Sequence, residues 1–416
     1  MKKILIVEDN KTLAKLIAKK ITSELNFEVE VAFNFKEAKL FLKTYKYFLV
    51  LSDLNLPDAP NGEIVDYALK KDNRVIVLTG SVDKKLRAAL VKKEIVDYVS
   101  KSGANSIDYI LQTIERLDKN QNHTVMVVDD SMIFRKQLQN MLENLCFKVV
   151  SVAHGEEALN MLQTNNDISL MVVDYLMPVM NGLELTIESR KIKNKYELAI
   201  MAFSSNEEDE ITALFLKQGA NDYITKPFSK EEFSCRVNNN IDHIENVKTI
   251  QESANKDFLT GLYNRRYFFN DMEKYFMDSS ATNEKFAIAM IDIDSFKLIN
   301  DEFGHETGDK VIINLADYLR ESITHKNIIA RFGGEEFCVV LKDIKDKDQA
   351  IDILENVRKE IEDIIVQCDK TKNGVTYTVS IGVSFKHDFT LDDSIHEADM
   401  MLYDAKQNGK NQIVYH

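Results

Sequence analysis

The sequence predicts an α/β protein in which two doubly wound domains are followed by an α+β domain with a mainly antiparallel central sheet. An internal repeat covers about the first 245 of the 416 residues. Within each copy, short apolar runs alternate with stretches of helical spacing, which indicates parallel strands covered by helices on both faces. All four prolines lie before residue 230, so we expect the last third of the chain to have a different architecture.

Composition and charge favour a cytoplasmic globular protein. Hydrophobic residues make up 44% and charged residues 29% of the chain, so cores can form throughout. The formal net charge of -14 argues against a broad nucleic-acid-binding surface. No stretch reaches the roughly 20 apolar residues of a membrane span, and the apolar run that starts at Ile4 is too short for a signal peptide. The four cysteines are far apart, which is typical of reduced thiols in the cytosol.

The predicted strands recur in the same order in both copies of the repeat. In the first copy they are Ile4–Val7, Val29–Val31, Phe48–Leu51, Val75–Leu78 and Tyr98–Val99. In the second copy they are Val125–Val128, Val149–Val152, Leu170–Val173, Ala199–Phe203 and Asp222–Ile224. Helical spacing is clearest over Thr12–Ile21 and Met132–Leu142.

Polar residues at the ends of these strands also repeat. In each copy an acidic pair follows the first strand, a single aspartate comes 44 positions after that pair, and a hydroxyl residue and a lysine stand 22 positions apart. These residues are Glu8, Asp9, Asp53, Thr79 and Lys101 in the first copy, and Asp129, Asp130, Asp174, Ser204 and Lys226 in the second. Since the carboxyl ends of parallel strands meet in one crevice, we expect one site per copy.

Each predicted site has the residues for phosphoryl chemistry. Three clustered carboxylates repel one another unless a divalent cation lies among them, and Mg²⁺ prefers oxygen ligands. The central aspartate, Asp53 or Asp174, could then act as a nucleophile towards a phosphoryl group. Acidic residues at strand ends can also be ordinary solvated loop residues, but the same spacing occurring twice disfavours that alternative.

Both copies resemble the receiver domains of two-component response regulators, over residues 1–118 and 123–245. The resemblance implies a flavodoxin-like fold and phosphorylation of Asp53 and Asp174 by a partner histidine kinase. It also implies that the acidic residues of each copy bind Mg²⁺, with Glu8 and Asp9 joining Asp53, and Asp129 and Asp130 joining Asp174.

The same resemblance implies a two-state switch in each copy. Lys101 or Lys226 would balance the phosphoryl charge, and the hydroxyl of Thr79 or Ser204 would hydrogen-bond to the phosphoryl group. That bond could reorient a tyrosine, which is Tyr98 in the first copy and Tyr223 in the second. The copies differ, because the second has Pro227 after its lysine where the first has Ser102.

Four motifs follow one another in the C-terminal part of the chain. The first runs from Asp257 to Arg266, the second from Asp292 to Asp309, the third is Gly333-Gly334-Glu335-Glu336, and the fourth runs from Glu397 to Asn411. The predicted strands are Phe286–Ile291, Ile328–Phe332, Phe337–Leu341 and Val375–Phe385. The second and third of these strands flank the glycine pair, which predicts a β-hairpin.

These motifs together resemble the diguanylate cyclase, or GGDEF, family in its GGEEF form, over about residues 255–416. The Gly-Gly-Glu-Glu sequence alone would be a weak signal, because many hairpin turns contain glycines beside acids. Four motifs in the right order make the resemblance specific. It implies synthesis of cyclic di-GMP and pyrophosphate from two GTP molecules, in a dimer, because each domain would bind one GTP.

The resemblance assigns a metal site to the strand end and the hairpin. Asp292 and Glu335 would hold Mg²⁺ with the backbone carbonyl of Ile293, and Glu336 would lie nearby. The metal would activate the attacking 3′-hydroxyl and polarise the phosphate. Glu335 would assist the deprotonation of that hydroxyl.

The resemblance also assigns the substrate contacts. Asn300 and Asp309 would read guanine, whose ring N–H and exocyclic amine form a donor pair that adenine lacks; Asn300 could instead cap a helix or turn. The phosphates would be contacted by Lys297, Lys406 and Lys410, and by the backbone at Gly333 and Gly334, which lack a Cβ. Lys410 stands where the family usually has arginine.

Two further segments of the sequence bear on regulation, and two alternative functions stay open. The family's product-inhibition site has an Arg-x-x-Asp motif where this chain has Thr324 and Asn327, so we expect weak feedback. Apolar side chains at helical steps over Val237–Glu252 predict a connector helix, which either covers the second receiver or also pairs with a second chain. The alternative functions are a catalytically weak domain that acts as a nucleotide-sensing adaptor, and a DNA-binding regulator, which the acidic balance disfavours.

Overall fold

The computed structural model describes residues 2–80, 89–90, 93–101, 105–165, 167–204, 209–282, 285–324, 326–368, 371–385 and 390–416. The chain forms two compact units, one up to Lys248 and the other from Thr249. Among the described residues, no helix is long and apolar enough to cross a membrane.

The first sheet is parallel and covered by helices, as the sequence predicts. Its strands are β1 (Lys3–Val7), β2 (Glu28–Ala32), β3 (Leu49–Asp53), β4 (Val75–Thr79) and β5 (Asp97–Ser100), in the order β2-β1-β3-β4-β5. The helices described with it are α1 (Lys11–Glu24), α2 (Phe35–Thr44), α3 (Glu63–Lys70) and α4 (Ser106–Asn120).

The second sheet repeats the order of the first. Its strands are β6 (Thr124–Val128), β7 (Lys148–Val152), β8 (Ile168–Asp174), β9 (Ala199–Ser204) and β10 (Asp222–Thr225), in the order β10-β9-β8-β6-β7. Its helices are α5 (Met132–Asn144), α6 (Gly155–Thr164), α7 (Gly182–Ile192), α8 (Asp209–Lys217) and α9 (Lys230–Asn255). The predicted doubly wound architecture is therefore confirmed in both copies.

The interior strands of both sheets are apolar on both faces, which confines polar groups to the strand ends. In β6, for example, the side chains of Val125–Val128 are fully buried. Burying each such side chain contributes roughly 1.5–3 kcal/mol, whereas an unpaired polar group in the same place would be destabilising. The acidic residues therefore occur where the strands end.

Capping side chains fix the chain direction directly after each acidic pair. Asn10 Oδ1 accepts the backbone N–H groups of Thr12 and Leu13 at 3.1 and 3.2 Å. Ser131 Oγ accepts the backbone N–H of Phe134 at 3.4 Å. These N-caps satisfy donors that have no partner inside the helix, and they set the path by which the chain leaves β1 and β6.

Helix α9 begins in the first unit and contains the predicted helical segment Val237–Glu252. Its buried face consists of Phe233, Val237, Asn240, Ile241 and Ile244. Further along, Ile250 is 66% exposed. The helix therefore packs as the last helix of the second copy up to Ile244, and pairing with a second chain stays a prediction.

A network of charges joins α9 to α4 within the first unit. The Arg116 guanidinium donates to both carboxylate oxygens of Glu245 at 2.8 Å and to Asp242. His123 Nε2 lies 2.7 Å from Glu245 Oε1. These contacts, led by the hydrogen bonds from Arg116, lower the pKa of Glu245 to about 2.

The second unit has a mixed sheet with an antiparallel centre, as predicted. Its order is β11-β13-β14-β12-β17-β18, and the central pairs are antiparallel. The strands of the unit are β11 (Tyr263–Asn264), β12 (Ala287–Ile293), β13 (Ile328–Gly333), β14 (Glu336–Leu341), β15 (Val366–Cys368), β16 (Thr371–Val375), β17 (Val379–Ser384) and β18 (Ile413–Tyr415). The helices are α10 (Arg265–Thr282), α11 (Phe296–Phe303), α12 (His305–Ser322), α13 (Lys347–Glu362) and α14 (Leu391–Gln407).

One predicted strand of this unit is wrong. Val375–Phe385 is not continuous, because the chain changes sheet between Val375 and Val379. Strand β16 pairs with β15 in a separate two-stranded sheet, whereas β17 pairs with β12 in the main sheet. Between them, Tyr377 donates to Asn314 Oδ1 at 2.8 Å, which fixes the break.

Candidate functional site

The first acidic site lies at the carboxyl ends of β1, β3 and β5. Lys101 Nζ is 2.7 Å from Glu8 Oε2 and 2.6 Å from Asp53 Oδ2. Glu8 and Asp53 are buried, while Asp9 is exposed. One carboxylate oxygen from each of these three acids lies within 4.8 Å of the others, so the set fits a divalent cation.

Burial and charge oppose each other at this site. Burial raises the pKa of Glu8, although the Lys101 ammonium favours the ionised carboxylate. Burial alone would lower the pKa of Lys101, but its bonds to Asp53 and Glu8 outweigh that effect and raise it. A single lysine thus balances a set of three acids, which leaves room for a further positive charge.

The second acidic site has the same layout in the second sheet. Lys226 Nζ is 2.7 Å from Asp174 Oδ1 and 3.2 Å from Asp129 Oδ2. Burial raises the pKa of Asp174, and Lys226 opposes that shift. Within the described part of the chain, only the first acidic set brings three ligand oxygens within 4.8 Å of one another, so the second set, which includes the exposed Asp130, is more open.

The predicted switch residues lie beside the two lysines. Thr79 ends β4 and Ser204 ends β9, and both side chains are buried. The backbone oxygen of each accepts the N–H of the following lysine at 2.8 Å. The tyrosines differ: Tyr98 donates to Glu231 Oε1 at 2.9 Å, whereas Tyr223 is buried beside Phe215.

A third buried carboxylate, Asp292, lies near the end of β12. It pairs in register with Glu336 of β14, and its Oδ2 is 2.9 Å from Lys406 Nζ. Burial raises the pKa of Asp292 to about 6; Lys406 opposes this shift, and the charges of Glu335 and Glu336 add to it. The positive charge of Lys406 therefore does not fully offset the burial of the Asp292 carboxylate and the two nearby negative charges.

The glycine turn beside Asp292 is open on its outer side. Gly334 has a φ of 52°, and a Cβ added at Gly333 or Gly334 would meet nothing within 4 Å. The Arg331 guanidinium donates twice to the Gly334 carbonyl, at 2.9 and 2.7 Å, and once to Asp257 Oδ1 at 2.9 Å. The turn is thus tied to the first of the four C-terminal motifs.

Asn300 presents a buried acceptor in the same unit. Its Oδ1 has no hydrogen-bond partner, although such atoms in proteins usually have one. Gly308 makes room for it, since a Cβ there would lie 2.0 Å from Asn300 Oδ1. Asn300 lies inside α11 and caps no helix, so the cap alternative is wrong. Asp309 follows Gly308 on α12 and is exposed.

Two family models match the chain. The model described as response regulator receiver domain matches residues 4–114 and 125–238, which is more than half of the chain. The chain belongs to the response regulator receiver family. The model described as diguanylate cyclase, GGDEF domain, matches residues 254–412, so this response regulator carries a GGDEF domain after its two receivers.

Known proteins resemble this response regulator over parts of its length. Response regulator PleD of Caulobacter vibrioides is 28% identical over 299 residues, which cover 70% of this chain and 65% of PleD. The probable diguanylate cyclase DgcT of Escherichia coli is 34% identical over 40% of this chain and 37% of DgcT. A crystal structure of a putative two-component system response regulator/GGDEF domain protein aligns with a TM-score of 0.53 and 34% identity, over 59% of this chain and all of that chain. The chain thus spans less than two thirds of PleD and DgcT.

The predicted phosphate lysines of this response regulator lie in different settings. Lys406 is paired with Asp292, and Lys410 Nζ donates to Ser295 Oγ at 2.8 Å. Lys297 is exposed. Asp292, Glu335 and Glu336 do not bring three ligand oxygens within 4.8 Å, a condition that only the Glu8 set meets among the described residues. Oxygen donors beside an undercompensated buried carboxylate nevertheless fit a divalent cation.

Sequence reasoning missed the role of Asp294, two residues after Asp292. Its buried carboxylate accepts hydrogen bonds from Ser380 Oγ at 2.6 Å, Thr378 Oγ1 at 2.7 Å and the Asn411 backbone N–H at 3.0 Å. It joins the end of β12 to the loop that carries Lys410. The only sequence signal was the repeated aspartate itself, because its partners are 84 or more positions away.

Thr324 and Asn327 stand where the family usually has the arginine and aspartate of the product-inhibition motif. In this structure their side chains form hydrogen bonds within the chain. Asn327 Nδ2 donates to Thr324 Oγ1 at 3.1 Å, and Asn327 Oδ1 accepts the Lys342 backbone N–H at 2.9 Å. Neither side chain supplies the charge of the usual arginine and aspartate. His325, between them, lies outside the described residues.

Proposed function

We propose that this response regulator is a diguanylate cyclase that joins two GTP molecules into cyclic di-GMP and releases two pyrophosphates. The observation that carries the proposal is Asp292, a buried carboxylate beside the GGEEF hairpin with a pKa near 6. Perturbed carboxylates of this kind cluster at functional sites. In this proposal residues 1–118 and 123–245 are the receivers, and 246–416 are the connector helix and the cyclase domain.

The substrate would bind along the open side of the hairpin. The bare backbone at Gly333 and Gly334 leaves space for phosphates, and Lys297, Lys406 and Lys410 would balance their charge. The partnerless Asn300 Oδ1 would accept a guanine N–H, and Asp309 would accept the neighbouring donors of the same base. Positioning and charge neutralisation supply most of the catalysis in such transfers.

Asp292, Glu335 and the Ile293 carbonyl would hold Mg²⁺, with Glu336 nearby. When bound, Mg²⁺ would polarise the α-phosphate and lower the pKa of the attacking 3′-hydroxyl. Lys406 would release Asp292 and move to the phosphates as the metal replaces its charge. Glu335, which is only partly buried, would accept the hydroxyl proton.

Phosphorylation would control the reaction through dimerisation. Each cyclase domain binds one GTP, so two domains must face each other to join two of them. Asp53 and Asp174 would take the phosphoryl group from a histidine kinase, with Mg²⁺ at each acidic set, in the cytoplasm. A phosphorylated form that favours the dimer would then raise the rate.

The test is product formation by the purified chain with GTP and Mg²⁺, with and without acetyl phosphate. We expect cyclic di-GMP that increases with acetyl phosphate, and loss of product in Glu335→Gln. The double variant Asp53→Asn/Asp174→Asn should keep basal activity but lose the response to acetyl phosphate. GTP binding without any product would instead identify the adaptor function.

A further inference from the structure

Three residues of the second unit have a left-handed backbone although none of them is glycine. Ser295, Lys410 and Asn411 have φ values of 56°, 64° and 45°. Such conformations are unfavourable for residues with a Cβ and persist only where surrounding contacts hold them, which is common at functional sites. All three residues belong to one cluster around the buried carboxylate of Asp294.

Both carboxylate oxygens of Asp294 accept hydrogen bonds. Oδ1 accepts the Ser380 hydroxyl at 2.6 Å, and Oδ2 accepts the Thr378 hydroxyl at 2.7 Å and the Asn411 backbone N–H at 3.0 Å. The Asp294 backbone N–H in turn donates to the Thr378 carbonyl at 2.9 Å. The two hydroxyls and this backbone bond fix Asp294 to the start of β17, so its third bond is free to hold the segment that follows α14.

This third bond holds Lys410 from one side, and Ser295 holds it from the other. The Asn411 N–H that bonds to Asp294 belongs to the peptide group directly after Lys410, and Lys410 Nζ donates to Ser295 Oγ at 2.8 Å. Because Ser295 directly follows Asp294, the backbone and the ammonium group of Lys410 are tied to two adjacent residues. Holding a long side chain in place beforehand removes part of the entropic cost of binding a ligand.

The side chain of Asn411 is anchored on the opposite side, to α13. Its Oδ1 accepts Arg358 Nη1 at 2.7 Å, and its Nδ2 donates to Glu362 Oε2 at 3.1 Å. The segment after α14 is therefore fixed to the helix layer by a side chain and to the end of β12 by a backbone N–H. The bond to Asp294 is the one that sets the distance between this segment and the strand end.

The two lysines near the end of β12 have different partners. Lys406 pairs with the Asp292 carboxylate, whereas Lys410 donates to the neutral hydroxyl of Ser295. A charged donor forms a stronger hydrogen bond with an anionic acceptor than with a neutral one. Lys410 can therefore exchange the Ser295 hydroxyl for a phosphate oxygen without leaving a carboxylate unpaired.

We propose that Asp294 is a positioning residue for GTP, which acts through the Asn411 N–H to hold Lys410 where its ammonium group meets the phosphates of the substrate. The inference rests on the proposed cyclase function. Asp294 does not itself contact the phosphates. On binding, Lys410 Nζ leaves Ser295 Oγ for a phosphate oxygen, while the Lys410 backbone stays in place.

The test compares variants of the full chain. Asp294→Ala removes the bond to Asn411, and Asp294→Asn keeps an acceptor oxygen for it while its amide can turn towards Ser380 Oγ. The control is Thr378→Val, which removes one hydroxyl from the same carboxylate and leaves the bond to Asn411 intact. If urea titration shows that Asp294→Ala does not fold, Asp294→Ser takes its place, because the serine hydroxyl is too short to reach Asn411.

Two readouts are measured: the KM and kcat for cyclic di-GMP formation, and binding by equilibrium dialysis of GTP and of guanosine without added divalent cation. We expect Asp294→Ala to raise the KM and the Kd for GTP about tenfold with a smaller change in kcat. The Kd for guanosine, which lacks phosphates, should stay within about twofold, and Asp294→Asn and Thr378→Val should stay within about threefold of the parent for GTP.

A double-variant cycle tests whether Asp294 acts through Lys410. Lys410 is exposed, so Lys410→Ala leaves the fold intact. In the Lys410→Ala background, Asp294→Ala should change GTP binding by less than about twofold, because the side chain that it positions is already absent. A merely structural role of Asp294 would instead give the same loss in both backgrounds.

Four outcomes would overturn the inference. They are unchanged GTP binding in Asp294→Ala, an equal loss in the Lys410→Ala background, an equal loss in Thr378→Val, and an equal loss of guanosine binding. A parent chain that binds GTP but forms no product would refute the cyclase function, while the dialysis would still test the positioning role. A parent chain that binds no GTP would refute both.

Discussion

Glu245 in the first unit and Asp292 in the second each lie beside basic residues. Their pKa values are nevertheless shifted in opposite directions. Glu245 in the first unit receives both arms of Arg116 and a contact from His123, and its pKa falls to about 2. Asp292 in the second unit has a single lysine, lies near two glutamates, and has a pKa raised to about 6. The first carboxylate is fully compensated and holds helices together. The second is left short of positive charge, which suits a residue that exchanges a lysine for a metal.

The largest expected effect comes from neutralising each carboxylate in turn. Asp292→Asn should lower cyclic di-GMP formation by about 100-fold or more, because the variant loses the proposed metal ligand. Glu245→Gln should change that rate by less than about twofold and should destabilise the first unit instead. Chromatographic quantification of the product compares the two variants. Full activity of the Asp292→Asn variant would contradict the proposed catalytic role of Asp292.

Removing the Arg116 cation tests whether its ion pair with Glu245 stabilises the first unit. Arg116→Met should lower the free energy of unfolding of the first unit by about 2 kcal/mol, since it leaves Glu245 partly buried beside Asp242. The matched control is Lys119→Met, which removes an exposed ion pair with Glu115 and should cost less than about 0.5 kcal/mol. Urea titrations measure the free energy of unfolding of both variants. Equal losses would contradict the stabilising role of the Arg116–Glu245 ion pair.

The two carboxylates should also give the two units opposite responses to acid. The raised pKa of Asp292 means that its protonated form favours the fold, so its contribution is full below about pH 4 and is lost as the pH rises through about 6. The lowered pKa of Glu245 gives a contribution that is full above about pH 4.5 and is lost as the pH falls towards about 2.

Hydrogen exchange of peptides from β12 and α9 separates these responses. Lowering the pH from 7 to 5 should raise the free energy of opening around β12 by about 1.3 kcal/mol and leave α9 unchanged. Lowering it from 5 to 3 should destabilise α9 by a similar amount. The Asp292→Asn variant should lose the first change alone, and a uniform response along the chain would refute the comparison.

The smallest effect concerns the close approach of Gly308 to Asn300. Gly308→Ala should raise the KM for GTP about tenfold with a smaller change in kcat, because the new Cβ displaces the Asn300 amide. Stability should change little, since alanine favours the helix by about 1 kcal/mol. The control is Glu321→Ala, an exposed position on the same helix. Unchanged KM would remove Asn300 from the substrate contacts.

The sequence predicted the strands that are uniformly buried and the residues that end them. Thr79 and Lys101 could be paired from their spacing, because a parallel sheet brings every strand end to one edge. The strand over Val375–Phe385 could not be divided correctly, because a change of sheet leaves the apolar pattern intact. Lys406 was expected at the phosphates, and its contact with Asp292 depends on a helix packing across β12.

The amino-acid sequence alone predicts the repeated order of strands, the two acidic sets and the family of the C-terminal domain. These features follow from local periodicity and from spacing along one chain. The charge balance at each carboxylate depended on the tertiary structure, since the basic partners of Glu245 and Asp292 are more than 100 positions away along the chain. The physical reason is that a carboxylate's pKa depends on burial and on the charges around it, and both arise only when distant segments pack together.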